Sequence, residues 1–235
     1  MRIRMSFGWI FKTGLVVCLV AISARAEVKG LQGPWLSPGE TLLCFGDSLT
    51  AHGGYVRELS AVLEPMGVKV VNGGQSGDKT PTALMRLAKV VDETRPDAIF
   101  IFFGANDAAI GHARWGDEPK VSPVTYRDNL EWIVHWCRQE RNISKFSIAP
   151  PTGPIEGPNG YPFGDVRRAY CLMAREAADN MKAVFVPLDC EFERARAKMA
   201  EDAKGLKLTT DGIHLNAEGN KVAAKAMLKA WNVRQ

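Results

Sequence analysis

The feature that most constrains the fold is a repeated alternation. Five short, near-continuously apolar runs, at residues 42–45, 68–72, 98–104, 146–150 and 183–188, are separated by stretches with helical spacing. A strand that is apolar at every position must be covered on both faces, which is the situation of a parallel sheet flanked by helices. Thr80-Pro81 reads as an N-cap with proline at the first helical position, followed by Leu84, Leu87 and Val91 on one face. Ser122-Pro123 repeats that signal ahead of Leu130, Ile133, Val134 and Cys137. Val166, Tyr170, Met173, Ala177 and Met181 make a third face, and Asn216 opens a last helix carrying Val222, Ala223, Ala226, Met227 and Ala230. Strand and helix alternating in this way predict an α/β fold with right-handed crossovers. No proline- or serine-rich linker interrupts the pattern, so residues 27–235 read as one domain.

Residues 1–26 stand apart from it. Arg2, Arg4 and Lys12 make a positive start, residues 14–22 are an apolar run, and Ala24-Arg25-Ala26 places small residues where a signal peptidase reads. The segment is read as a secretory signal peptide cleaved before Glu27, with a secreted or periplasmic product. The apolar stretch 7–22 is broken by Lys12 and falls short of the ~20 residues of a spanning helix, so no stable membrane span is expected. The whole chain carries a formal charge of +4, and the four basic residues of this segment account for all of it. With no basic excess left, binding to nucleic acid through bulk charge is excluded. Cys44, Cys137, Cys171 and Cys190 remain; they lie in or beside apolar patterns and read as small buried hydrophobes. No spacing of histidine and cysteine suggests a metal.

In a parallel α/β sheet the ligand site lies beyond the carboxyl ends of the strands. Four polar, glycine-containing turns fall there or just before the last helix. They are Gly46-Asp47-Ser48-Leu49-Thr50, the stretch 72–80 containing Ser76-Gly77, Gly104-Ala105-Asn106-Asp107, and Asp211-Gly212-Ile213-His214. Ser48 offers a hydroxyl on a tight turn, but serine is a poor nucleophile without a base. Of the four histidines, His135 lies in a helical pattern and His52 is too near Ser48 along the chain to reach back easily. His112 lies in a loop and stays open. His214 has Asp211 three residues before it, so the carboxylate can take the Nδ1 proton and leave Nε2 as base. The N–H groups of Ser48 and Gly77 and the amide of Asn106 are candidate donors to an oxyanion. Taken singly, each turn has an ordinary structural reading; four in this order, each after the right element, point to acyl transfer.

These blocks resemble the SGNH, or GDSL-type, hydrolases, whose sequence blocks supply Ser, Gly, Asn and His. The resemblance runs from Thr41 to about Met227. It implies Ser48 as nucleophile, Asp211 and His214 as its partners, and Ser48, Gly77 and Asn106 as the oxyanion hole. It also implies a flavodoxin-like three-layer α/β/α sandwich with a five-stranded parallel sheet in the order 2-1-3-4-5, and no cofactor or metal. The strings 102–108 and 211–216 are especially similar to the isoamyl acetate-hydrolysing esterase branch, which implies a small acyl group.

Two long loops, 106–121 and 151–164, follow the third and fourth strands and should rim the site. Trp115, Tyr161 and Phe163 within them are candidates for stacking on sugar rings. The expected function is therefore a secreted serine esterase acting on a small-molecule ester or an acetylated carbohydrate. Acetylesterase action on polysaccharide, and lysophospholipase or thioesterase action, are its variants. A carbohydrate-binding module of the same fold would lack a member of the Ser-His-Asp set, and none is missing here. A phosphate binder would not place Asp47 beside the anion.

Overall fold

The computed structural model describes residues 33–110, 119–151, 166–201 and 205–233. Strands β1 (Thr41–Gly46), β2 (Lys69–Gly74), β3 (Ala98–Phe102), β4 (Lys145–Ala149) and β5 (Val184–Phe185) form one sheet. Their order is β2-β1-β3-β4-β5 and every pairing is parallel, as the motif resemblance implied. Helices α1 (Ser48–Ala51), α2 (Gly54–Leu63), α3 (Thr80–Thr94), α4 (Pro123–Arg141), α5 (Val166–Asn180), α6 (Leu188–Arg196) and α7 (Ala217–Ala230), with a 3₁₀ turn at Glu64–Met66, complete the described elements.

The two-residue period of the strands divides the core. Leu42 and Cys44 of β1, with Phe100 and Phe102 of β3, pack against Tyr55, Leu59 and Leu63 of α2, Phe192 of α6, and Ala223 and Met227 of α7. Their alternates Leu43, Phe45, Ile99 and Ile101 pack against Leu87 and Val91 of α3, Leu130 and Ile133 of α4, and Tyr170 and Ala174 of α5. Both faces are thus filled, and each such aliphatic or aromatic side chain contributes about 1.5–3 kcal/mol relative to exposure. A buried polar chain fastens the carboxyl end of the molecule to the sheet edge. The Trp231 indole N–H donates to Ser147 Oγ at 2.9 Å, and the Ser147 hydroxyl donates to the Val184 carbonyl at 3.0 Å.

Local chemistry adjusts the sequence expectations in four places. Lys79, not Thr80, is the N-cap of α3, because the Thr80 N–H and hydroxyl are both taken by the Asp107 carboxylate. Strand β5 keeps only two residues, since Pro187 has no N–H to donate and α6 begins at Leu188. Helices α2 and α6 had no counterpart in the periodicity reading. The four cysteines among the described residues are unpaired; Cys44 and Cys137 are buried, but Cys171 is only partly covered and Cys190 is exposed. His135 sits on the exposed side of α4.

Candidate active site

The carboxyl end of β1 turns sharply into α1. A side chain at Gly46 would place its Cβ 2.0 Å from Thr50 Oγ1 and 2.6 Å from the Phe102 carbonyl, so only glycine permits the turn. Asp47 then caps α1, its Oδ1 accepting the Leu49 N–H at 2.9 Å. Ser48 is the first helical residue and is partly exposed between buried neighbours. Its backbone N–H has no acceptor among the described residues.

The turn before α7 supplies a histidine and a carboxylate together. Thr209 and Leu215 form an antiparallel bridge, and the Thr210 N–H donates to the His214 carbonyl at 2.8 Å. Inside that loop Asp211 Oδ1 accepts the N–H groups of Ile213 and His214 at 2.9 and 2.7 Å. Its Oδ2 lies 2.7 Å from His214 Nδ1. The other ring nitrogen, Nε2, lies 3.0 Å from Ser48 Oγ, across 166 positions of chain. Burial alone would raise the Asp211 carboxyl. The hydrogen bonds from the imidazole and from the two N–H groups outweigh it and hold the carboxyl below its usual range. The carboxylate is therefore charged and fixes the ring so that Nε2 faces the serine.

A third segment approaches from the end of β2. The Gln75 N–H donates to the Gly46 carbonyl at 3.0 Å, and the Asp78 N–H closes a turn onto the Gln75 carbonyl. Gly77 stands at the third position of that turn with φ +82°, a left-handed value that glycine adopts without strain. Its Cβ direction is open. Asn106 reaches this loop from the end of β3, donating through Nδ2 to the Asp78 carbonyl at 2.9 Å. One amide hydrogen is thereby used and the other is left for a ligand.

The ends of β1 and β2 are joined by Arg86 of α3. Its Nε–H donates to Asp78 Oδ2 at 2.5 Å, Nη1 to the Gly73 carbonyl at 2.9 Å and Nη2 to the Gly46 carbonyl at 3.0 Å. The guanidinium carbon lies 4.5 Å from the centre of the Phe45 ring. Three buried carboxyl groups, Asp47, Asp78 and Asp107, underlie the site. Burial pushes Asp47 up to about 7, against the Leu49 N–H, and Asp107 and Asp78 add to the rise. Burial also pushes Asp107 up to about 6, opposed by the Thr80 hydroxyl and N–H. Among the described residues Asp47 Oδ2 has no hydrogen-bond partner, the environment of a neutral carboxyl group.

The structure brings Ser48, His214 and Asp211 into one hydrogen-bonded series and joins Gly77 and Asn106 through Asp78. His112, Trp115, Tyr161 and Phe163 lie outside the described residues. Sequence reasoning passed over Asp78, Arg86 and Asp107, although two of them stand inside the quoted blocks. It also set His52 aside as a partner for Ser48, and the His52 ring lies 4.6 Å from that of His214. Among the described residues no group of three or more His, Cys, Asp or Glu is arranged to hold a metal.

This sheet order, with a serine after the first strand facing a histidine before the last helix, is the architecture of the SGNH hydrolases. Residues 44–222 match the GDSL-like lipase/acylhydrolase family. The chain belongs to that family and is an ester hydrolase of the GDSL type. It is 29% identical over 210 residues to a GDSL esterase/lipase of Arabidopsis thaliana, covering 81% of this chain and 86% of the relative. It is 26% identical over 215 residues to an acetylxylan esterase of Geobacillus stearothermophilus, covering 83% and 94%. The fold is also that of the solved Geobacillus acetylxylan esterase Axe2, with a TM-score of 0.71, 22% identity, and coverage of 85% and 97%. An alpha/beta hydrolase from the metagenome of Lake Arreo superposes with a TM-score of 0.71 at 23% identity, covering 86% and 99%.

Proposed function

We propose that Ser48 is the nucleophile of an exported esterase that removes small acyl groups, acetyl foremost, from carbohydrate. The observation that carries this is the unbroken series from the Ser48 hydroxyl through His214 to Asp211, at 3.0 and 2.7 Å. In this reading the Ser48 Oγ attacks the ester carbonyl as His214 Nε2 takes its proton. Asp211 stabilises the imidazolium that forms. The N–H groups of Ser48 and Gly77 and the free Asn106 amide hydrogen receive the negative charge on the tetrahedral oxygen. His214 then protonates the departing alcohol, and water repeats the cycle on the acyl-enzyme.

Export rests on the charged start, apolar run and Ala-Arg-Ala site of residues 1–26, removed before Glu27. Among the described residues no helix is long and apolar enough to cross a membrane. The acetyl preference is supported by the isoamyl acetate-like strings at 102–108 and 211–216 and by the likeness to an acetylxylan esterase along most of the chain. Trp115, Tyr161 and Phe163 are assigned to sugar contacts in the segments after β3 and β4.

The test uses residues 27–235. The chain should hydrolyse p-nitrophenyl acetate and be labelled by a serine-directed phosphonate, and Ser48→Ala should lose both. An ester series from acetate to octanoate should fall in kcat/KM with length, with acetyl release from acetylated xylan. Labelling that persists in Ser48→Ala would remove this serine as nucleophile. A rising series would overturn the small-acyl reading.

A further inference from the structure

A small cavity lies beside His52, whose ring is 4.6 Å from that of His214. It measures about 100 Å³ and is lined by Leu49, His52, Gly54, Arg57, Leu215 and Asn220. Two of its lining residues, Leu49 and Leu215, are the chain neighbours of Ser48 and His214. Its size suits a small polar substituent rather than a second sugar ring; it has room for a few waters.

The chemistry of the lining is one-sided. Arg57 is exposed and its Nη1 donates to the His52 carbonyl at 3.2 Å, which holds the guanidinium over the cavity. Among the described residues Arg57 forms no ion pair with a carboxylate, unlike Arg86 beside the site. His52, also exposed, turns its ring to that of His214 and has no hydrogen-bond partner among the described residues. No acid lines the cavity. The Asp211 carboxylate is committed to the His214 ring and to two N–H groups. A cationic fork with free donors beside an unpartnered imidazole, and no anion to answer them, is a receptor for an oxyanion. The planar guanidinium matches a carboxylate through two parallel hydrogen bonds.

We propose that this cavity is a subsite for a carboxylate carried by the substrate, so that the preferred ester is an acyl group on an acidic sugar, a uronic acid residue of a polysaccharide. Arg57 binds the carboxylate and His52 donates to it, holding the ring that bears the ester against Ser48. The subsite rests on the esterase reading above and deepens it. The net-neutral chain 27–235 attracts no polyanion by bulk charge, so the selection is local.

The test compares two substrates that differ only in that charge: an O-acetylated methyl uronoside as the free acid, and the same compound as its methyl ester. Both carry the same acetyl group. Wild type should favour the free acid about five- to tenfold in kcat/KM, the difference residing in KM, as expected of a partly exposed charge-assisted contact. The preference should shrink with added salt. In Arg57→Gln the ratio should fall to about one, with Tm recorded to establish that the variant is folded. Equal use of the two substrates by a wild type that turns over p-nitrophenyl acetate normally would overturn the subsite and leave the hydrolase reading standing. A preference that survives in Arg57→Gln would overturn it as well. No turnover of p-nitrophenyl acetate by wild type would bring down the hydrolase reading and the subsite with it.

Discussion

Arg86→Met tests whether one guanidinium holds the site together. The side chain is 15% exposed and its partner Asp78 is 3% exposed, so the substitution leaves a buried carboxylate without its cation. Breaking a buried pair from one side costs about 3–5 kcal/mol. The structure argues for the lower end. The Gln75 Nε2 still donates to Asp78 Oδ1 at 3.1 Å, and the Gly46 carbonyl keeps the Gln75 N–H. The Phe45 ring loses a cation stacked on its face, worth about 0.5–1 kcal/mol. The total, about 3–4 kcal/mol, is a large share of the 5–15 kcal/mol that holds an ordinary domain folded. Equilibrium urea unfolding measures it as a fall in midpoint at unchanged slope. Adding Asp78→Asn removes the orphaned charge and should recover about 1–3 kcal/mol, a coupling that distant sites would not show. A loss below 1 kcal/mol in Arg86→Met, or strict additivity in the pair, would refute the argument. The consequence should reach catalysis too, because the Asp78 carbonyl orients Asn106.

Two further outcomes follow from the geometry. Asn106→Ala should lower kcat about 10²–10³-fold through loss of one oxyanion donor, with Tm little changed; near-full activity would take Asn106 out of that role. Asp47→Asn should flatten the dependence of stability on pH. The native carboxyl titrates near 7 and the unfolded one near 3.8, so its contribution is full below about pH 4 and is lost as pH rises toward 7. That gap corresponds to about 4 kcal/mol, and Asp107, raised to about 6, acts in the same direction. The asparagine keeps an acceptor for the Leu49 N–H and never ionises. Its stability relative to wild type should therefore improve between pH 5 and pH 8, and parallel urea titrations at the two values would show a constant difference if Asp47 were not the group responsible.

The alternation of apolar runs was enough to name the sheet, and the capping residues Ser122 and Asn216 stand where the spacing placed them, each accepting an N–H of its own first turn. Such signals are local: a hydroxyl or amide beside an apolar period acts on backbone a few residues away. Helix α2 carried the same kind of period in Tyr55, Val56, Leu59 and Leu63, but it starts at Gly53-Gly54, which reads as a turn. Helix α6 was hidden by its charge, with only Leu188 and Phe192 buried along nine residues.

Short-range signals specify the strands, four of the helices that cover the sheet, and the four turns that hold Ser48, Gly77, Asn106 and His214. Each of those depends on residue type at short range, on periodicity, on glycine where φ is positive, and on caps. Tertiary structure alone decided what those turns meet. Asp107 took the amide and hydroxyl of Thr80, Arg86 tied the ends of β1 and β2 to Asp78, and His52 came to lie against His214. Contacts of this kind join residues from separate elements, and their energies depend on burial and on which donor finds which acceptor. Those quantities exist only once the chain has closed around them.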